Sequence, residues 1–203
     1  MKRVPVVGET NGNDRGLCVQ NNEQLFRKMN YTTVTLKVLE YLARDPADAH
    51  HVREVAEEAG VSVGAASITL RALRGQRLAK ADEKGGSKFY SIDLSNPAAR
   101  EFKILFNILG LRNLVDALKE YAERVVLFGS SAEGTDEKDR DIDLYILAQD
   151  RPAVKEVLRR FQKKFVRTLS PIIVDALGDM RLRKGDRPLF EEISRGKVLW
   201  ERE

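Results

Sequence analysis

The chain has almost no cysteine and no apolar run of membrane length. Cys18 is the single cysteine among 203 residues, so no disulfide can form within the chain, as is usual in a reducing compartment. No apolar stretch approaches the roughly 18 residues of a membrane span. The N-terminus has basic residues without the apolar segment of a signal peptide. These absences argue against a disulfide-stapled or membrane protein and predict a soluble, cytoplasmic one.

A strong charge of one sign is also lacking. The 35 basic and 31 acidic residues leave a net charge of +4, which does not by itself indicate nucleic-acid binding. Hydrophobic residues make up 42% of the chain, enough for a core, and the length fits one large or two small domains.

The first half of the chain has a helical pattern followed by a hairpin signal. Residues 1–22 are polar and aperiodic and predict a flexible tail, and residues 23–95 form the first predicted domain. Two helices separated by Gly60 indicate a helix-turn-helix, with Ser62 as the cap of the second helix. Gly85-Gly86 lies between two strand-like runs. Three helices and a hairpin resemble a winged helix-turn-helix.

The second helix of this motif would face double-stranded DNA, but its outward side chains are small. Small side chains read base edges poorly, whereas arginine and lysine contact phosphates well. The residues predicted to contact DNA are Ser67 on the outward face of the helix and four basic residues, Arg71, Arg74, Lys84 and Lys88, which would contact phosphates. The alternative is a winged helix that serves dimerisation or binds a partner protein.

Residues 96–121 predict connecting helices. They carry two apolar stripes, one on each side of Gly110, which is more than a simple linker needs. We expect one stripe to pack across domains or subunits, and hence a homodimer.

Residues 122–203 predict a third, α/β part whose chemistry lies in the stretch VVLFGSSAEGTDEKDRDIDLYIL. Side chains alternate along a strand, so Asp141 and Asp143 would share one face. Two neighbouring carboxylates repel each other, and a divalent cation such as Mg²⁺ or Mn²⁺ removes the repulsion. The alternative is an exposed strand start at which both acids are simply solvated.

The loop before this pair suits a phosphate group. Gly129 ends a strand and lets a ligand approach the backbone, while the hydroxyl of Ser130 can donate to a phosphate oxygen. Ser130 and Glu133 also fit a helix capping box, which is the alternative interpretation of the serine.

Gly129-Ser130, ten residues, and Asp141-Ile142-Asp143 resemble the motif of the minimal nucleotidyltransferases in the DNA polymerase β superfamily. The likeness covers roughly residues 112–203 and implies an α+β chain: a winged helix followed by a mixed β-sheet with flanking helices. Two positions depart from the family pattern. Ser131 replaces a frequent basic residue, and Arg140 replaces a frequent serine.

The resemblance implies a site and a reaction. Asp141, Asp143 and Asp175, a strand residue in PIIVDAL, would be the catalytic and metal-binding carboxylates, and Gly129 and Ser130 would bind the nucleotide. The reaction would move a nucleoside monophosphate, AMP from ATP or its equivalent from another NTP, to a hydroxyl. Acceptors in such families include partner proteins and aminoglycosides. The rival hypothesis is a DNA-binding transcriptional regulator whose nucleotidyltransferase-like domain only senses nucleotide.

Overall fold

The computed structural model describes residues 31–203 and contains two β-sheets, each with its own helices. This confirms the α+β class predicted from the sequence. The predicted tail, residues 1–22, lies outside the described residues.

The first part is a winged helix, as predicted. Its helices are α1 (Thr33–Arg44), α2 (Val52–Glu58) and α3 (Val63–Gly75). Its strands are β1 (His50–His51), β2 (Ala79–Lys84) and β3 (Ser87–Ile92), which form an antiparallel sheet in the order β1-β3-β2. The Ser62 hydroxyl caps α3 by accepting the Ala65 N–H, and Gly85 and Gly86 have the positive φ angles that the tight β2–β3 turn requires.

A single apolar core holds the winged helix together. It joins the inner faces of α1, α2 and α3 to the sheet and includes Leu39, Leu42, Val55, Leu70, Leu73 and Tyr90. Helix α3 therefore turns its other face outward, where Ile68 is 65% exposed.

The connecting segment is one helix rather than two. Helix α4 (Pro97–Leu118) runs through Gly110 without a break, because an isolated glycine costs a helix only about 1 kcal/mol. Ala99 packs into the winged-helix core, while Leu111 and Leu118 pack into the core of the second sheet. The expected packing across domains is present. Leu105 and Leu109 stay exposed on α4, and the homodimer remains a prediction.

The second sheet has four strands in the order β6-β5-β4-β7. They are β4 (Arg124–Leu127), β5 (Ile142–Leu147), β6 (Leu169–Val174) and β7 (Lys197–Glu201), with α5 (Gly129–Glu133), α6 (Arg151–Gln162), α7 (Ala176–Gly185) and α8 (Arg187–Arg195) between them. Strands β5 and β6 are parallel and the other pairs antiparallel, so the sheet is mixed.

Alternating residues bury both faces of this sheet. Leu144 and Ile146 face the main core with α4 and α6, whereas Tyr145 faces a smaller cluster with Ile193 of α8. The start of β5 is thereby fixed between β4 and β6.

Within residues 31–203, no helix combines the length and the apolar character that a membrane crossing needs.

Candidate active site

The antiparallel pairing of β4 and β5 brings Gly129 against Asp143. Leu127 pairs with Leu144, and the Phe128 N–H then donates to the Asp143 carbonyl at 3.1 Å. Gly129 has φ +66°, and a Cβ atom there would lie 2.6 Å from Asp143 Oδ2. Only glycine fits this position, so backbone and carboxylate meet without an intervening side chain.

Asp141 and Asp143 lie on one side of the chain, as their spacing predicts. Ile142 between them is buried, whereas Asp141 is exposed just before β5 and Asp143 is half-buried within it. Burial raises the pKa of Asp143, and the negative charge of Asp141 adds to the rise, while a hydrogen bond with Ser170 and the charge of Arg167 oppose it. The pair therefore carries unfavourable negative charge.

The donor set of this pair fits a hard divalent cation that takes only part of its shell from the protein. Among residues 31–203 no group of three or more histidine, cysteine, aspartate or glutamate side chains is arranged for a metal. Two carboxylate side chains remain, and Mg²⁺ is commonly held by one or two carboxylates with water and substrate phosphates completing the shell.

Ser130 does not form the capping box that its sequence context allows. Phe128 is the N-cap residue of α5, and no side chain caps that helix. The Ser130 side chain is half-buried and makes no hydrogen bond with the residues that the structure describes. Its hydroxyl is therefore available to a ligand beside Gly129.

Asp175 is not brought to the pair. The residue opposite Asp143 on β6 is Ser170, and β6 ends at Val174. Five residues of parallel strand at about 3.3 Å each place Asp175 roughly 16 Å further along. There it caps α7, accepting the Gly178 N–H at 2.7 Å. The expectation of a third metal-site carboxylate at Asp175 conflicts with this register.

The capping role of Asp175 gives a prediction that separates structure from catalysis. Asp175→Asn should keep stability and turnover close to wild type, because asparagine caps helices about as well as aspartate. Asp175→Ala should lower the free energy of unfolding by about 1 kcal/mol. Urea titration and nucleotide-transfer rates would check both variants. If the Asp175→Asn protein is as stable as wild type but has lost turnover, Asp175 has a catalytic role after all.

Arg167 is a site residue that the sequence analysis missed. It precedes β6 and its guanidinium donates to the Arg140 carbonyl (2.6 Å), the Asp141 carbonyl (2.9 Å) and the Ser131 hydroxyl (2.7 Å). These bonds join both ends of the loop between α5 and β5. The positive charge of Arg167 therefore lies beside Ser131, although Arg167 comes from a distant part of the chain.

Arg167 also belongs to a buried ionic cluster that we call the Asp136 cluster. Asp136 is 1% exposed and lies 2.6 Å from Arg167 Nη1 and 3.2 Å from Lys103 Nζ of α4. Asn107 of α4 donates to its other oxygen at 2.9 Å. Lys103 also donates to the Ala43 carbonyl at the end of α1, at 2.7 Å. The cluster links the winged helix to the loop that precedes the aspartate pair.

One local signal could have indicated this cluster. Lys103 occupies an inward position of the apolar run FKILF, and a lysine on a core-facing position is buried only when it is paired. Asp136 and Arg167 sit in charge-rich stretches that give no such signal.

The part of the chain that carries this site resembles known proteins. The family model for the nucleotidyltransferase domain matches residues 111–198. A Methanocaldococcus jannaschii protein described as "Putative protein adenylyltransferase MJ0141" is 34% identical over 68 residues, which are 30% of this chain and 69% of that protein.

Two solved structures show weaker likenesses. The homodimeric winged helix-turn-helix DNA-binding domain of Mb0332 from Mycobacterium bovis is 19% identical, with 51% of this chain and 91% of that chain covered and a TM-score of 0.39. A structure described as "the toxin-antitoxin MntA-HpeT mutant-D39ED41E" is 22% identical, with 47% of this chain and 74% of that chain covered and a TM-score of 0.34. Neither TM-score is high enough to establish a shared fold.

Proposed function

Because the chain belongs to the nucleotidyltransferase family, we propose that it moves a nucleoside monophosphate from a nucleoside triphosphate to a hydroxyl, with a divalent cation as cofactor. The observation that carries the proposal is the contact between Gly129 and Asp143, where a Cβ atom would lie 2.6 Å from the carboxylate. A phosphate at Gly129 would therefore lie within reach of any cation on Asp143.

Each residue of the site has one role in this proposal. Asp141 and Asp143 would hold Mg²⁺ or Mn²⁺, which when bound neutralises phosphate charge and orients the triphosphate. Gly129 leaves the backbone open to the phosphates, and the free hydroxyl of Ser130 donates to a phosphate oxygen. Arg167 fixes the Asp141 carbonyl and so positions the first carboxylate.

The reaction is a substitution at the α-phosphorus. The acceptor oxygen bonds to that phosphorus, the bond from it to the bridging oxygen of the β-phosphate breaks, and pyrophosphate leaves with the electron pair. The hydroxyl proton is lost to a carboxylate of the pair or to water, because the described residues place no third acid there.

The acceptor in this proposal is a protein hydroxyl and the donor is ATP. The support is the printed description of the Methanocaldococcus jannaschii relative as a protein adenylyltransferase. A small-molecule hydroxyl is the alternative within the same chemistry.

Labelled ATP tests the proposal. Added to host lysate with Mg²⁺, the protein should increase labelling from α-labelled ATP above that of lysate alone and should leave labelling from γ-labelled ATP unchanged, because the α-phosphate moves and pyrophosphate leaves. Chelation of the cation should stop the transfer. Transfer of γ-label would indicate a kinase, and no binding of ATP with Mg²⁺ in calorimetry would refute the nucleotide site.

The rival function is a DNA-binding regulator that senses nucleotide, and one observation favours its DNA-binding half. Arg71 and Arg74 are exposed on α3, and Lys84 and Lys88 are exposed on the β2–β3 hairpin. Helix α3 and the hairpin are the elements with which a winged helix meets a duplex. Catalytic turnover would separate the two functions.

Binding through these cations would be mostly electrostatic. The affinity for a duplex should fall steeply with salt and differ little between sequences, because phosphate contacts release counterions and do not read bases. The double variant Arg71→Ala/Arg74→Ala should weaken binding and reduce the salt slope, while Arg181→Ala on α7, also exposed, should not. Fluorescence anisotropy on random and native upstream duplexes measures both. Absence of binding to either at low salt would remove DNA from the function.

A further inference from the structure

A cavity of about 620 Å³ lies between the winged helix and the second sheet. Its walls come from α1 and α2 on one side and from α4, the α5–β5 loop and the segment before β6 on the other. The volume lies within the range of about 300–1,000 Å³ that small-molecule pockets occupy.

The cavity is separate from the nucleotide site. Ile142 belongs to its wall, and the side chains of Asp141 and Asp143 point to the other face of the strand. Gly129 and Ser130 are not among the wall residues, whereas Ser131 is. The two sites lie back to back across the start of β5.

Apolar and aromatic side chains form much of the wall, namely Tyr41, Phe106, Leu111, Phe165 and Val166. Val166 is 96% exposed and stands at the rim beside Arg167. Such a wall suits an apolar body, and aromatic faces also attract organic cations.

The free charge in the wall is negative. Six acidic and four basic residues line the cavity, so acidic side chains outnumber basic ones by two when His50 is left out of the count. All four basic groups are already engaged: Arg44 with Glu40, Lys138 with Asp45, and Lys103 and Arg167 with Asp136. Asp48 and Glu58 form no ion pair with residues 31–203. Among the described residues, a ligand would therefore meet two carboxylates without an ion pair. The surplus positive charge of Lys103 and Arg167, which share Asp136, is hydrogen-bonded to backbone carbonyls and to the Ser131 hydroxyl.

A fixed polar group lies in the same wall. His50 is 8% exposed, and its Nδ1 atom lies 2.7 Å from Glu54 Oε1 and 3.1 Å from Tyr41 Oη. Tyr41 also donates to Glu54 at 2.9 Å. The His50 Nε2 atom is itself buried and has no hydrogen-bond partner among the described residues, so the contacts at Nδ1 preorganise this wall and Nε2 is not exposed to the cavity.

We propose that this cavity binds an organic cation with an apolar body, the ammonium group beside Asp48 and Glu58 and the body against Tyr41, Phe106 and Phe165. The apolar surface accepts the body, and the unpaired carboxylates select the charge. Because the walls belong to both parts of the chain, the ligand would stabilise their arrangement.

Three probes of one shape test the charge selection: 4-phenylbutylamine, 4-phenylbutan-1-ol and 4-phenylbutyrate. Calorimetry on the full chain at pH 7 without nucleotide should give the tightest binding for the ammonium probe, at least tenfold tighter than for the carboxylate, since the wall attracts one charge and repels the other. Only the ammonium probe should weaken as salt increases. Equal binding of the three, tightest binding of the carboxylate, or no binding at millimolar concentration would overturn the proposal.

Variants locate the probe. A Cβ at Gly110 meets nothing within 4 Å, so Gly110→Phe can fill the cavity from α4 and should weaken the amine at least tenfold, while Gly110→Ala should bind like wild type. Glu58→Gln should weaken the amine and leave the alcohol unchanged. Asp143→Asn should leave both unchanged. Wild-type binding by a folded Gly110→Phe protein, or loss of binding in Asp143→Asn, would place the probe elsewhere and refute the site.

Discussion

Asp143→Asn should abolish metal-dependent nucleotide binding and transfer while raising the melting temperature of the nucleotide-free protein. Burial raises the pKa of this carboxyl, so at neutral pH its ionised form is less favourable in the folded state than in the unfolded state. The amide has nearly the same shape and no charge, and it therefore relieves the repulsion from Asp141. Without the carboxylate the cation loses a ligand, and the transfer rate should fall by more than about 100-fold, since metal stabilisation is worth several kcal/mol.

The measurements are calorimetry with ATP and Mg²⁺, transfer of α-label, and melting curves with and without the cation. Nucleotide should raise the wild-type melting temperature only when the cation is present, because a ligand stabilises the state to which it binds. Asp141→Asn should behave similarly. Asp139→Asn makes the same chemical change at an exposed position of the same loop and should match wild type throughout. Two results together would indicate a structural role for the pair instead. The Asp143→Asn protein would melt well below wild type, and the wild type would show no heat of ATP binding.

The aspartate pair and its glycine could be predicted because their signals are local. Strand alternation puts Asp141 and Asp143 on one side of the chain whatever else packs nearby, and the structure keeps Ile142 buried between them. Gly129 follows β4 directly, so the pairing of β4 with β5 is enough to bring it to Asp143. A short stretch of chain thus determines most of this geometry.

The position of Asp175 could not be predicted because it depends on register. A parallel pair is joined by a crossover, here α6, whose length and packing decide which residue faces Asp143. The sequence shows an acid near the end of an apolar run, but it does not show that strand β6 ends at Val174, one residue before that acid. The same residue type that suits a metal also suits a helix N-cap, and here it caps α7.

The Asp136 cluster was missed because its members are distant in sequence. Arg167 follows Asp136 by 31 residues, and Lys103 precedes it by 33. Charged residues in loops are usually solvated, and only the tertiary fold shows that this carboxylate is 1% exposed. The unbroken path of α4 through Gly110 also depends on tertiary contacts, because both halves of the helix are held in cores.

Removal of the Asp136 carboxylate should give the largest loss of stability among these variants. Asp136→Ala would leave Lys103, 2% exposed at its side chain, and Arg167, 16% exposed, without their shared counter-charge. Breaking a buried ion pair from one side costs about 3–5 kcal/mol. Burial already lowers the pKa of Lys103 and Asp136 opposes that shift, so loss of a proton by the lysine would relieve part of the cost.

Urea denaturation of the full chain measures this loss, and the chain provides a matched control. Asp116 in the last turn of α4 and Lys119 just after the helix form an ion pair of 2.7 Å, but their side chains are 50% and 42% exposed. Asp116→Ala should therefore change stability far less than Asp136→Ala, because water screens an exposed ion pair. If Asp136→Ala and Asp116→Ala lower the free energy of unfolding equally, the buried carboxylate of Asp136 contributes no more to stability than an exposed one.

A double-mutant cycle then tests the link to the winged helix. Lys103→Met removes the ammonium group that contacts both Asp136 and the Ala43 carbonyl, and it keeps an apolar stem on α4. Combined with Asp136→Asn, it should destabilise the protein by about 0.5–3 kcal/mol less than the two single variants added together, since each change removes the partner of the other. Strict additivity would show that Lys103 serves α1 alone and that Asp136 depends on Arg167 and Asn107 instead. Coupling would instead show that the winged helix and the loop before Asp141 share one buried charge cluster.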